Sequence, residues 1–451
     1  MEQADVHPRA VDVFTHYYRQ LESGETGALA EPDIEPIQEL PKLADLHIDP
    51  EQAREALGRT AVLKLNGGLG TSMGMERAKT LLPVRDQETF LDVIVAQVRN
   101  ARKRYDISLP VVFMHSFRTR DDTLDALSAH PDLPVDGLPL DFLQNQEPKL
   151  AVEDLSPVRW PADPALEWCP PGHGDLYTAL EVSGVLAALL ANGVRYAFVS
   201  NADNLGAAAD AEVAGWFAGT GAPFAIEACR RTASDRKGGH LAVRRADQAL
   251  VLRESAQTRP QDSDAFADVD RHRYFNTNNL WLDLEAVAAA LQRTDGVLGL
   301  PLIRNVKNVD PSDPDSPEVV QIETAMGAAV EVFEGSVAIE VDRSRFLPVK
   351  TTNDLLVLRS DVYELTDEHR LVVSAGRGRP APYVDLDRAY FTLLRDFDAR
   401  FPAGPPSLVD CDRFVVRGDV TFGTDVVARG EVSVDGPLSV PDGTVLPTSP
   451  G

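Results

Sequence analysis

Cysteine is scarce: Cys169, Cys229 and Cys411 are the three in 451 residues, an odd number without metal-ligand spacing. That excludes a disulfide framework and a thiolate zinc centre, and it fits buried thiols in a reducing cytoplasm, the expected location. Long apolar runs are missing too. None approaches the roughly 20 residues that cross a bilayer. The start, Met1-Glu2-Gln3-Ala4-Asp5, lacks the basic and apolar parts of a signal peptide, so no membrane partner is expected. Basic charge is short, with 44 Lys and Arg against 70 Asp and Glu and a net charge of −26. This argues against nucleic acid or an anionic membrane as partner. Most of the acidic excess reads as a solubilising surface.

The rest of the composition is that of a globular protein, with 43% hydrophobic and 25% charged residues. The length suggests two or three structural units. In 1–58, Val13, Phe14, Tyr17, Tyr18 and Leu21 recur at helical spacing from Val11 to Leu21. A connector with Pro32, Pro36, Pro41 and Pro50 and a short helix, Glu51 to Leu57, follow; the segment reads as a lid or clasp. In 59–400 strand-like runs (Val62–Leu65, Pro110–Met114, Tyr196–Ser200, Pro223–Ala228, Leu280–Leu282) alternate with helical stretches (Phe90–Arg104, Asp121–Leu127, Leu176–Ala191, Leu284–Gln292). This predicts an α/β domain with a mostly parallel sheet, whose ligands sit at the carboxyl ends of its strands. In 401–451 short valine runs with frequent glycine predict successive short strands. A small parallel β-helix fits best, and a β-hairpin cap is the alternative.

One stretch organises the chain. Val62-Leu63-Lys64-Leu65-Asn66 runs into Gly67-Gly68-Leu69-Gly70-Thr71-Ser72-Met73-Gly74, and Lys79-Thr80 follow. A buried strand thus ends in a bare loop whose N–H groups and hydroxyls can cradle phosphate. It is not a P-loop, which needs Lys directly after the last glycine, since Met75-Glu76 follow Gly74. It is not a dinucleotide fingerprint either, because three residues separate Gly70 from Gly74.

The loop resembles the signature of the UTP–glucose-1-phosphate uridylyltransferase (UDP-glucose pyrophosphorylase, UDPGP) family. Related UDP-N-acetylhexosamine pyrophosphorylases carry Ala-Gly-Gly-Gln-Gly-Thr-Arg-Leu-Gly loops, so the glucose branch is favoured. Further motifs extend the likeness from about Val62 to Leu365. The resemblance implies a Rossmann-like, GT-A-like nucleotidyltransferase sheet. It also implies a reversible, Mg²⁺-dependent reaction of UTP with glucose 1-phosphate that gives UDP-glucose and pyrophosphate. A uridylyltransferase for another sugar 1-phosphate (galactose or N-acetylglucosamine) and a catalytically silent nucleotide-sugar-binding regulator remain open.

The chemistry explains which residues such a site needs. The attacking phosphate oxygen is already ionised, so no general base is required. The difficulty is repulsion between polyanions, about 4 kcal/mol for two unit charges ~4 Å apart at an effective dielectric of ~20. Lysines and a metal ion answer it. Lys79 is one candidate, although the family's Cys-Lys-Gly-Pro-Lys-Ser reads Met75-Glu76-Arg77-Ala78-Lys79-Thr80 here. Lys350, in Leu347-Pro348-Val349-Lys350-Thr351-Thr352-Asn353-Asp354, is the second; it precedes a helix expected to be capped by Asn353 or Asp354. Asp203, at a strand end, is the candidate Mg²⁺ ligand.

Uracil presents one donor between two acceptors, which an amide matches. The resemblance assigns Leu65, Gly67, Gly68, Gly70, Thr71, Ser72, Gln144 and Gly172 to the nucleotide, with Gln146 as the fallback for Gln144. His173 joins them, although it also suits a helix cap. Asn201, Gly239, Glu254, Asn276 and Asn278 fall to the sugar, and Gln321–Ala329 to packing. Two departures, His115 for the usual Asn and Arg120 for the usual His, bear on loop detail. The tail is short and its proline-rich end resembles a cap, so a monomer or small homo-oligomer is expected.

Overall fold

The computed structural model describes residues 1–85, 87–232 and 235–446. The last part of the expected terminal cap, 447–451, lies outside the described residues. A ten-stranded sheet occupies the centre, its main path running Ile34–Pro36, His240–Arg244, Tyr274–Asp283, Tyr196–Asn201, Thr60–Asn66, Val111–His115 and Asp141–Leu143. From Tyr196–Asn201 to Asp141–Leu143 every pairing is parallel, as strand–helix alternation requires. The other half is built antiparallel around Tyr274–Asp283, which pairs with Tyr196–Asn201, Phe224–Arg230 and His240–Arg244. The sheet is thus parallel where the glycine loop emerges and mixed beyond it. Leu280–Leu282 proves to be the end of this ten-residue strand. Asn276, Asn278 and Asn279 hid the rest, because asparagine is depleted in strands.

Side chains alternate between two apolar faces. Val62, Phe113, Phe198 and Trp281 enter one core, and Leu63, Val112, Val199 and Leu280 the other. Helices cover both faces, so the parallel strands read as nearly continuous apolar runs. Phe90–Tyr105 lies on the first face. It starts at a capping box in which the Asp92 N–H donates to Thr89 Oγ1 (3.2 Å) and the Thr89 N–H to Asp92 Oδ2 (2.9 Å). Arg102, Lys103 and Arg104 sit at its negative end. Leu284–Arg293 lies on the second face. Leu176–Ala191, expected as one helix, is two, Leu176–Val182 and Val185–Ala191, with a 65° bend. Gly184, at φ 77°, makes the break.

The N-terminal segment is fastened rather than loose. After the helix Pro8–Glu22, the Leu29 N–H donates to Gln257 O (2.9 Å). Ile34–Pro36 then pairs antiparallel with the strand His240–Arg244 as an edge strand. At the other end of the chain, Tyr383–Leu386, Cys411–Arg417 and Gly430–Asp435 form a small parallel sheet. Val420–Phe422 with Leu438–Val440, and Val427–Ala428 with Val445–Leu446, form two more. Phe414, Phe422, Val432 and Val440 are buried in a core continuous with Phe397, Phe401 and the main domain. No single helix among the described residues is long and apolar enough to cross a membrane.

Candidate active site

The strand Thr60–Asn66 delivers the glycine loop to the edge of a crevice. Leu65 pairs with Asn201, and its carbonyl accepts from the Ala202 N–H (3.0 Å), so two strand ends open side by side. Asn66 anchors the turn. Its Oδ1 accepts from Thr80 Oγ1 (3.0 Å), its Nδ2 donates to Thr123 Oγ1 (3.0 Å), and its carbonyl accepts from Thr119 Oγ1 (2.7 Å). Gly70 and Gly74, at φ 69° and 72°, bracket the 3-10 turn Thr71–Met73 and leave Thr71 and Ser72 exposed at its tip. The Lys79 N–H closes the loop on Gly68 O (3.1 Å). Across Gly67 lies the Gln144 amide, 3.1 Å from where a Cβ would stand. Gln144 therefore faces the loop, whereas Gln146 lines a separate cavity with Phe14 and Tyr17.

Lys79 and Asp203, 124 residues apart, meet at the crevice floor with Lys79 Nζ 2.7 Å from Asp203 Oδ2. The same ammonium donates to the carbonyl of Val349, and the Val349 N–H donates to Asp203 O (3.2 Å). Lys350 is thereby set next to both. The following helix is capped by Thr351, not by Asn353 or Asp354. Asp354 is its third residue, and its Oδ2 accepts from the Lys350 and Thr351 N–H groups (2.9 and 2.8 Å). The Lys350 side chain is exposed and makes no ion pair among the described residues.

On the base side, Gly172 packs against Thr324, whose N–H donates to Pro171 O (3.1 Å). His173 does not cap the helix that follows it; its Nδ1 accepts from the N–H of Met326 (2.9 Å), the first residue of the 3-10 helix Met326–Glu331, which leaves any ring proton on Nε2 in the neutral form. Burial lowers its pKa, with Glu323 opposing and Lys350 adding to the shift. Gln321–Ala329, expected only to pack, is what holds these two residues. Asp175 clamps the neighbouring loop by accepting from the Asn145 N–H (2.6 Å) and Nδ2 (2.7 Å). Burial raises its carboxyl to about 7.

On the sugar side, the Glu254 carboxylate lies directly over Gly239, where any Cβ would collide with it. Burial raises the Glu254 pKa, and the charge of Lys350 opposes this. The Asn276 N–H donates to Gly239 O (3.1 Å), and Asn276 Nδ2 to Asn278 Oδ1 (2.7 Å). Asn278 itself sits at φ 58°.

Beneath this surface lies a buried ionic layer that sequence reading missed. Arg345 donates to both Glu227 oxygens (2.6 Å each), which also accept from Asn279 Nδ2 (3.0 Å) and Trp281 Nε1 (2.9 Å). Asn204 Oδ1 accepts from the Leu347 N–H (2.8 Å), so the segment leading to Lys350 is fixed relative to Asp203. Lys64 Nζ donates to Ser200 Oγ (2.8 Å) and Ala207 O (2.7 Å), and burial lowers its pKa to about 7. Lone charges within the apolar strands Val62-Leu63-Lys64-Leu65 and Ala225-Ile226-Glu227-Ala228 were the available signal. The two departures are accommodated locally. His115 is buried beside Asn66 Nδ2 (3.3 Å), with its pKa lowered to about 4 by burial, and Arg120 pairs with Asp141 (2.5 Å).

No group of three or more His, Cys, Asp and Glu side chains that could hold a metal exists among the described residues. A cation held by protein alone does not fit. Mg²⁺, which takes one or two carboxylates and completes its shell with phosphate and water, fits the partly exposed Asp203, whose Oδ1 accepts no hydrogen bond among the described residues.

The sheet, with its glycine loop at a strand end and a lysine held on the Asp203 carboxylate, defines an α/β nucleotidyltransferase. The family model described as UTP–glucose-1-phosphate uridylyltransferase matches residues 11–429, and the chain belongs to that family. It is 38% identical to the UTP–glucose-1-phosphate uridylyltransferase of Solanum tuberosum over 421 residues, which is 92% of this chain and 86% of that protein. Against that of Saccharomyces cerevisiae it is 39% identical over 396 residues, 86% of this chain and 77% of that protein. A mutant UDP-glucose pyrophosphorylase of Leishmania major, solved with UDP-glucose, superposes with a TM-score of 0.92 at 42% identity, covering 98% and 95% of the two chains. The Trypanosoma brucei UDP-glucose phosphorylase gives 0.90 at 40% identity, covering 98% and 97%.

Proposed function

We propose that this crevice transfers the uridylyl group of UTP to glucose 1-phosphate, giving UDP-glucose and pyrophosphate, with assigned roles as follows. The carrying observation is that Lys79, closed onto the glycine loop at Gly68, meets Asp203 and the carbonyl of Val349, the residue before Lys350. The glycine loop receives the phosphates of UTP on its N–H groups and on Thr71 and Ser72. Gln144 and Gly172 read the uracil edge. Gly239, Glu254, Asn276, Asn278 and Asn201 take the sugar hydroxyls. A phosphate oxygen of the sugar phosphate attacks the α-phosphorus of UTP. The bond from that phosphorus to the α–β bridging oxygen breaks, and pyrophosphate leaves with the electron pair. Asp203 would hold Mg²⁺, which would supply positive charge against the negative charge developing on the phosphates and the leaving group. Lys79 and Lys350 neutralise charge around the α-phosphorus, and no side chain has to remove a proton.

Three further readings belong to this account. The three small C-terminal sheets are the sides of a short β-helix, because each strand pairs in parallel with one a coil further on. That division keeps 1–58, 59–400 and 401–451 as the units of the chain, with assembly limited to a monomer or small oligomer. The three free, buried thiols fit a cytoplasmic setting.

The test is pyrophosphate release from UTP with a panel of sugar 1-phosphates. Glucose 1-phosphate is expected to give the highest kcat/KM. Higher values with galactose 1-phosphate or N-acetylglucosamine 1-phosphate would overturn the assignment, and tight UDP-glucose binding without pyrophosphate release would mark a regulator.

A further inference from the structure

Gly239 and Glu254 are each followed or preceded by a residue that turns away from the crevice into one buried charged cluster. His240 and Arg253 are direct partners on paired antiparallel strands, and both are fully buried. Arg253 Nη1 lies 2.5 Å from Glu31 Oε2, and its Nη2 lies 3.3 Å from Asp262 Oδ2. Glu31 also accepts from Arg271 Nε (2.6 Å) and His272 Nε2 (3.0 Å), and its own N–H donates to Asp262 (3.0 Å). The His272 ring stacks on His240 at 3.8 Å between centroids. Glu31 belongs to the N-terminal connector, which is tied a second time where Leu29 meets Gln257, three residues beyond Glu254.

We infer that Glu31 of the N-terminal connector is a positioning residue for the sugar end of the site, acting through Arg253 to fix Glu254 over Gly239. Arg253 immediately precedes Glu254 in the chain. A buried guanidinium needs close carboxylates, and loss of the Glu31 charge would leave Arg253 with only the longer contact to Asp262 (3.3 Å). Relaxation of Arg253 then moves the next residue, whose carboxylate has no room to spare against Gly239. Small displacements of a substrate-orienting group are expensive in affinity and rate. The nucleotide end is anchored separately, by Asn66, Thr324 and Asp175, so the effect is confined to one substrate.

This rests on the reading of Glu254 as a sugar contact, so Glu254→Gln is measured alongside. Glu31→Gln in the full-length chain is expected to raise KM for glucose 1-phosphate about tenfold while KM for UTP stays within about twofold. In the Glu254→Gln background the same change should add less than about twofold, because both act on one group. If Glu31→Gln does not fold, Arg253→Lys is read by the same constants. A fall in kcat or thermal midpoint with both KM values unchanged would reduce Glu31 to a structural tie and overturn the inference. Effects that multiply in the double variant would overturn it too. If Glu254→Gln leaves KM for glucose 1-phosphate unchanged, the sugar assignment of Glu254 falls as well.

Discussion

Lys79 Nζ stands 2.7 Å from Asp203 Oδ2, while the Val349 carbonyl takes a second of its protons. One cation thus ties the glycine loop, the strand end at Asn201 and the approach to Lys350 into a single floor. Asp203→Asn keeps the shape but removes the charge that would hold Mg²⁺. It should lower turnover by roughly 100-fold and raise the Mg²⁺ concentration needed for half-maximal rate. A Mg²⁺ titration of the initial rate checks this, and an unchanged midpoint would leave Asp203 only the task of orienting Lys79.

The Glu227–Arg345 pair supports that floor from below. Glu227→Gln leaves the buried Arg345 with only the more distant Asp210 (3.9 Å) as counter-charge and should destabilise the fold by about 3 kcal/mol. Pairing it with Arg345→Met should recover much of the loss, as urea denaturation of the single and double variants will report. Equal stabilities of wild type and Glu227→Gln would show that Asp210, 3.9 Å from Arg345, suffices as its counter-charge.

Asp175 gives the protein a pH signature. Burial raises its carboxyl to about 7, whereas the unfolded chain titrates near 4. Between those values the folded state holds the proton and the unfolded state has lost it. The contribution to stability is therefore complete below about pH 4 and lost as pH rises to about 7. Asp175→Asn should flatten that decline by roughly 2–4 kcal/mol between pH 4 and pH 8. Glu147 is also raised, by burial first and Asp175 next, so the comparison is between slopes of wild type and variant. Parallel slopes would contradict a protonated Asp175. Loosening of Asn145 should also raise KM for UTP.

What could be read from the chain was local. The glycine loop, the strand before it and the helix Phe90–Tyr105 each carry their signals within a few consecutive residues. The meeting of Lys79 with Asp203 spans 124 positions, and that of Glu227 with Arg345 spans 118, so no window of sequence contains either. Lys64 and Glu227 announced burial by interrupting apolar runs, but not their partners. Asparagine concealed most of the strand Tyr274–Asp283, and Gly184 broke a helix whose apolar content hid the break. Gln144, the first choice for the base, faces the loop across Gly67, while Gln146, the fallback, lines a cavity with Phe14 and Tyr17.

The measurement that bears most directly on a charge-reversing crevice compares wild type with Lys350→Ala in two ways: steady-state turnover, and UDP-glucose affinity by calorimetry. Lys350 follows Val349, whose N–H and carbonyl bind Asp203 and Lys79, and its charge matters most when the α-phosphorus is being displaced. Turnover should fall by about 100- to 1,000-fold while UDP-glucose affinity changes by less than about fivefold, and Lys350→Arg should recover only part of the rate. Turnover equal to wild type, or a loss confined to binding, would contradict the account.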